Sequence, residues 1–132
     1  MKLHHIGIVC KKDDINNFLF SDKIEESIVD KNQNNNLFFS YDKNKNIWIE
    51  FVCPINEKST VYNYLKKKGP GLHHLGYEVN DIELTINKYK EKNNFIFINK
   101  YIINIPCFGG AIRTAFFFNN NVILEFLSID EK

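Results

Sequence analysis

The chain has 132 residues, 17 Lys+Arg against 16 Asp+Glu and a formal net charge of +1, which fits one domain without a basic surplus. That balance argues against a surface built to neutralise phosphates, so nucleic acid is not an expected partner. Hydrophobic residues make up 44% and charged residues 25%, as in a globular core, and no apolar run approaches the roughly 20 residues of a membrane span.

The first segment, Leu3-His4-His5-Ile6-Gly7-Ile8, reads as a strand. It lacks the apolar region of a signal peptide, which points to the cytoplasm. Asp13-Asp14 then open a short helical stretch through Phe20, since aspartate favours helix starts. Strand-like runs follow at about 24–29, 37–41 and 47–53, punctuated by Asn34-Asn35-Asn36 and Lys43-Asn44-Lys45-Asn46. Ser59 or Thr60 can cap a connecting helix through Lys68, stopped by Gly69-Pro70-Gly71.

The pattern then repeats. Leu72-His73-His74-Leu75-Gly76-Tyr77 echoes the opening strand, and Asn80 or Asp81 caps a helix carrying Ile82, Ile86 and Tyr89 at helical spacing. Strands are expected at about 95–104, 111–118 and 122–127, with Asn119-Asn120-Asn121 as the last turn. Val122-Ile123-Leu124-Glu125-Phe126-Leu127 echoes Ile47-Trp48-Ile49-Glu50-Phe51-Val52. The expected fold is α+β, a single domain of two βαβββ modules (about 1–55 and 71–132) joined by a linker helix at about 59–68. The three cysteines, Cys10, Cys53 and Cys107, are an odd and widely spaced set, which fits buried thiols better than a disulfide framework or a CxxC zinc site.

Alternation along strands carries the functional argument. Ile6 and Ile8 suit packing against a helix, which turns His5 to the opposite face; the same count places His74 opposite Leu75. Glu50 and Glu125 sit in otherwise apolar strands, where an isolated ionised carboxylate costs several kcal/mol unless it is paired or coordinated. A lone strand histidine is most often just a half-buried polar residue, and a lone strand glutamate an edge residue. Recurrence in matching places favours ligation. Two modules related by a pseudo-twofold axis would bring both His/Glu pairs to one centre, where two imidazoles and two carboxylates suit Co, Ni, Mn, Fe or Zn.

The order of HHIG early and a glutamate late in each half resembles the vicinal oxygen chelate superfamily, which includes glyoxalase I, methylmalonyl-CoA epimerase, extradiol dioxygenases and bleomycin-resistance-type binding proteins. The stretch from Ser59 through Gly69-Pro70-Gly71-Leu72-His73-His74 to Val79, with Arg113-Thr114-Ala115-Phe116-Phe117, is most similar to the epimerases. The resemblance implies metal ligands at His5, Glu50, His74 and Glu125, with a curved mixed sheet around one divalent ion (Co, Ni, Mn or Zn). It also implies a metal-dependent isomerase or epimerase that moves a proton next to a carbonyl, plausibly of an acyl-CoA or other thioester. Three departures stand out: epimerases can carry Gln at the position of Glu50, their extra carboxylate base just before Leu37 is replaced by Asn32-Gln33-Asn34-Asn35-Asn36, and the last hairpin is short.

Glu50 and Glu125 are the expected acid–base pair. Arg113 is a candidate contact to an acidic substrate group or else a surface ion pair, and Gly109-Gly110 can offer backbone N–H groups to a carboxylate. Tyr41 and Cys107 are weaker candidates for an accessory acid. The rival readings are a glyoxalase I-type lactoylglutathione lyase and a metal-free binding protein of the bleomycin-resistance type. A homodimer is also expected.

Overall fold

The computed structural model describes residues 1–18 and 23–130. The chain divides into two compact units, one of His5–His73 and one of Met1–His4 with His74–Lys132. Among the described residues no helix is long and apolar enough to cross a membrane.

The unit of His5–His73 is built on β1 (Lys2–Val9), β2 (Glu26–Asp30), β3 (Asn35–Asp42) and β4 (Ile47–Pro54), in the spatial order β2-β3-β4-β1. β1 runs parallel to β4, and the other neighbours are antiparallel. One face carries Ile8, Cys10, Ile49, Phe51 and Cys53, buried against Ile15 of a short 3₁₀ helix, Lys12–Asn17. Burying each large apolar side chain contributes roughly 1.5–3 kcal/mol, so this cluster fixes which way the strands face. The helix expected from Asp13-Asp14 is thus a 3₁₀ turn that ends at Asn17, with Phe18 already extended. The end of that expectation, at 19 and 20, lies outside the described residues. Asn16-Asn17, poor helix formers, give the turn little reason to continue.

Two further expectations shift. Asn35 and Asn36 belong to β3 rather than to the turn, and only Asn34 takes the left-handed backbone, at φ 60°. Asn35 is buried because its side chain accepts from the Ser59 hydroxyl and donates to Thr60 Oγ1 at 3.4 Å. With Ser59 and Thr60 so engaged, the connecting helix α1 starts later, at Tyr62–Lys68, and no side chain caps it. Gly69 ends α1 at φ 76°, a conformation that favours glycine.

The second unit repeats the connectivity with β5 (Gly71–Glu78), α2 (Ile82–Lys90), β6 (Ile96–Ile105), β7 (Gly110–Asn119) and β8 (Val122–Ile129), in the order β5-β8-β7-β6. β5 is parallel to β8, and the rest is antiparallel. Asp81 caps α2, accepting from the Leu84 N–H at 3.0 Å. Ile82 and Ile86 bury against Ala115, Phe117 and Phe126, and Tyr89 stacks on Phe126 with ring centroids 4.7 Å apart. β7 and β8 are joined by Asn120-Asn121, both at positive φ (49° and 67°), the two-residue hairpin geometry that asparagine tolerates.

Asp30, at the end of β2, is buried and accepts from the backbone N–H groups of Asn32 and Gln33 and from Gln33 Nε2. Burial pushes its carboxyl above the usual carboxylate range despite those bonds, and the nearby Glu50 charge adds to the rise. A raised folded-state pKa means that the folded protein is penalised as pH climbs from the unfolded value of about 3.9 through the folded one. Asp30→Asn keeps an acceptor for the turn but does not titrate. Urea midpoints at pH 4 and pH 7 should therefore show wild type losing stability relative to this variant at the higher pH; a pH-independent gap would contradict the assignment.

Candidate metal centre

Cross-strand register explains how each unit brings a histidine to a glutamate. In the first unit Gly7 lies directly across from Glu50, two residues beyond His5 and on the same face. In the second unit Gly76 lies across from Glu125, two residues beyond His74. Glycine has no side chain to stand between the imidazole and the carboxylate, which gives the glycine of each HHxG run a local reason. A phenylalanine backs each glutamate from the other side: Phe39 pairs with Glu50, and Phe116 pairs with Glu125. The His74 ring meets Phe116 edge-on at 5.6 Å.

The resulting pairs are nearly superimposable in their chemistry. His5 Nε2 lies 3.2 Å from Glu50 Oε1, with side chains 0% and 10% exposed. His74 Nε2 lies 3.0 Å from Glu125 Oε1, with side chains 2% and 9% exposed. Two donors bound to one ion at about 2.1 Å, at angles between a right angle and a tetrahedral one, stand about 3.0–3.4 Å apart. Both pairs meet that spacing, so their donor atoms fit adjacent corners of a metal's coordination shell. His5, Glu50, His74 and Glu125 are all buried, and each offers one ligand atom.

Glu125 has a further partner that the sequence reading did not identify. The buried Thr114 hydroxyl donates to Oε2, the oxygen not directed at His74. Its signal in the sequence was the only hydroxyl in the run Ile112–Phe118. It becomes meaningful only once the β7–β8 register is known.

Other candidates fall elsewhere. Arg113 alternates with Thr114, so it projects from the α2 side of the sheet, opposite the face of His74 and Glu125, and its Nε pairs with Asp130 at 3.2 Å. Gly109 closes the 3₁₀ turn Pro106–Phe108 in a left-handed conformation, and its N–H is committed to the Pro106 carbonyl at 3.0 Å. A Cβ at Gly109 would meet Ile129 at 3.0 Å, so glycine is needed there for close approach. Gly110 pairs with Ile105 in the β6–β7 ladder. Tyr41 shares the face of Glu50 but lies against Trp48 at 4.9 Å and donates to Asn46 Oδ1 at 3.1 Å. Cys107 is half-buried, whereas Cys10 and Cys53 are buried; the thiols of the latter two hydrogen-bond to one another, lowering the Cys10 pKa and raising that of Cys53.

A family model for the glyoxalase/bleomycin resistance protein/dioxygenase superfamily matches residues 4–104. The chain belongs to that superfamily, and its paired βαβββ modules are those of the vicinal oxygen chelate fold. Among solved structures it is similar to a hypothetical protein of Bacillus halodurans C-125, with 27% identity and a TM-score of 0.80, covering 99% of this chain and 96% of that one. It is also similar to methylmalonyl-CoA epimerase of Mycobacterium tuberculosis, with 16% identity and a TM-score of 0.81, covering 98% and 89%. A Streptomyces coelicolor methylmalonyl-CoA epimerase variant in complex with 2-nitronate-propionyl-CoA gives 18% identity and a TM-score of 0.79, covering 98% and 94%. No curated protein matches by sequence.

Removing the imidazole from one of these pairs takes away the Nε2 neighbour of a buried carboxylate. In chelator-treated protein, His5→Ala should lower unfolding free energy by about 3–5 kcal/mol, and His5→Leu combined with Glu50→Leu should recover most of it. Denaturant titration reads both; equal losses in the single and double variants would contradict the pairing.

Proposed function

We propose that His5, Glu50, His74 and Glu125 together hold one divalent transition-metal ion, and that the protein is an isomerase or epimerase moving a proton on carbon next to a carbonyl. The observation that carries this reading is the duplicated buried His–Glu pair, at 3.2 and 3.0 Å, in equivalent registers of two modules. Each pair sets an imidazole Nε2 and a carboxylate oxygen at the spacing of neighbouring metal ligands, with a glycine leaving the space between them open. The epimerases whose fold the chain shares favour an acyl-CoA or related thioester as substrate.

When bound, the ion supplies Lewis acidity that stabilises negative charge on the carbonyl oxygen. The protein's own part is the proton. A carboxylate removes it from the α-carbon, the electron pair moves into the carbonyl to give the enolate, and a proton returned to the opposite face inverts the centre. Glu50 and Glu125, one from each module, are the groups assigned to that exchange. Their apolar surroundings exclude bulk water, which strengthens every charge interaction at the reacting carbon.

A second reading rests on Glu50 itself: a carboxylate there also suits a glyoxalase I-type lyase, which performs the same proton transfer on a hemithioacetal. The two are separated by substrate. Methylmalonyl-CoA incubated in D₂O with metal-loaded protein should gain deuterium at C2, and Glu50→Gln should slow the gain by at least a hundredfold, within the usual range for loss of an acid–base group. Lactoylglutathione formation without any exchange into the thioester would favour the lyase. Neither activity in metal-loaded protein would overturn the isomerase reading.

A further inference from the structure

Two buried thiols of the first unit take no part in the proton transfer proposed above. β1 and β4 pair in parallel as far as Val9 and Val52, and the Cys10 N–H donates to the Val52 carbonyl at 3.2 Å, so the next residues in register are Cys10 and Cys53. Both point to one face, packed among Ile8, Ile15, Ile49 and Phe51, at 0% and 3% exposure. His5 and Glu50 lie on the opposite face. Adjacent strands stand about 4.8 Å apart, within the roughly 4.4–6.8 Å between Cα atoms that a disulfide spans. Two thiols hydrogen-bonded at that spacing need little backbone movement to join.

Their chemistry is unequal. The Cys53 thiol donates to the Cys10 sulfur, which favours the Cys10 thiolate against burial and the nearby Asp14 carboxylate and holds Cys53 protonated. The thiolate is the form that attacks an oxidant, and a neighbouring thiol resolves the product. Access comes from the strand end. Cys10 lies just past β1, and the residues that follow the two cysteines, Lys11 and Pro54, line a surface cavity of about 600 Å³ with Asp14 and Ile55. Hydrogen peroxide is small enough to pass from there to the thiols on a slight opening of the strand end.

We infer that Cys10 and Cys53 are a peroxide-sensitive dithiol that closes to a reversible disulfide and staples β1 to β4 behind the His5–Glu50 pair. The Cys10 sulfur attacks one peroxide oxygen, the O–O bond breaks, and the departing hydroxide takes up the proton that Cys10 released, leaving a sulfenic acid. The Cys53 sulfur then displaces the sulfenic hydroxyl, which leaves as a second water with the Cys53 proton. Two thiols lose two electrons and two protons, and H₂O₂ becomes two waters. A small thiol reductant reverses the bond by exchange. The inference uses the other face of the sheet and stands apart from the metal-centre reading.

The test treats the folded, metal-free full chain with a few equivalents of H₂O₂ and then alkylates free thiols in denaturant. Before alkylation the mass should fall by two hydrogens, one of the three cysteines should take the alkyl group, and peptide mapping should join Cys10 to Cys53. Cys107→Ser should leave the reaction unchanged, whereas Cys53→Ser should stop at a Cys10 sulfenic acid that dimedone captures. Oxidised wild type should unfold at higher urea than reduced wild type, and dithiothreitol should erase the gap, because a cross-link restricts the unfolded chain. If Cys53→Ser does not fold, the wild-type mass, mapping and urea measurements decide. Three alkylated cysteines, oxidation confined to Cys107, or a Cys10–Cys53 link that forms only in urea would overturn the inference. A link that leaves the urea midpoint unchanged or lowers it would overturn the stapling role.

Discussion

A carboxylate placed in the middle of an apolar strand must find a partner or give up its charge, because transfer of a lone ion out of water costs far more than any neighbouring contact returns. Glu50 and Glu125 face that constraint in strands otherwise made of Ile, Leu, Val, Phe and Trp. In each unit the solution is an imidazole two residues before a glycine on the parallel neighbour. The parallel pairing follows from the connectivity: the first strand of each module must lie beside the fourth for the histidine and the glutamate to come together at all. A helical turn on the far face fixes which way both side chains point. In the first unit Ile15 provides that anchor, and in the second Ile82 and Ile86 do so.

The two units share their element order and register, and they differ in a few places. Gly7 and Gly76, Phe39 and Phe116, and the two His–Glu pairs occupy equivalent positions. The helical elements do not match: a six-residue 3₁₀ turn stands where the second unit has a capped nine-residue α-helix. That difference in helix type lies on the far face and bears on packing rather than on the His–Glu pairs.

Much of this organisation was legible because strands announce themselves by alternation. The face assignment of His5 against Ile6 and Ile8, and of His74 against Leu75, needed only a period of two and an apolar side. Asp81 and the Asn120-Asn121 hairpin were equally readable, since each satisfies a local backbone requirement. What alternation cannot supply is register. Thr114 gains its meaning from lying one strand over from Glu125, and Asp30 from being buried at a strand end under Gln33, so neither stood out in the chain. For Arg113 the sequence left two readings open, a substrate contact or a surface ion pair, and its parity on β7 turns it to the face where it pairs with Asp130. The extra turn residues assigned at Asn35 and Asn36 went to β3 because Ser59 and Thr60, distant in sequence, offer the asparagine side chain buried partners.

The central claim is that two histidines and two glutamates serve a single ion. Elemental analysis of purified protein after equilibration with Co²⁺, Ni²⁺, Mn²⁺ or Zn²⁺ and removal of loose metal tests it most directly. Close to one ion per chain is expected for at least one of these metals, lost on substitution of any one of the four residues by alanine. No retained metal, or a stoichiometry of two with each His–Glu pair loading independently, would contradict it.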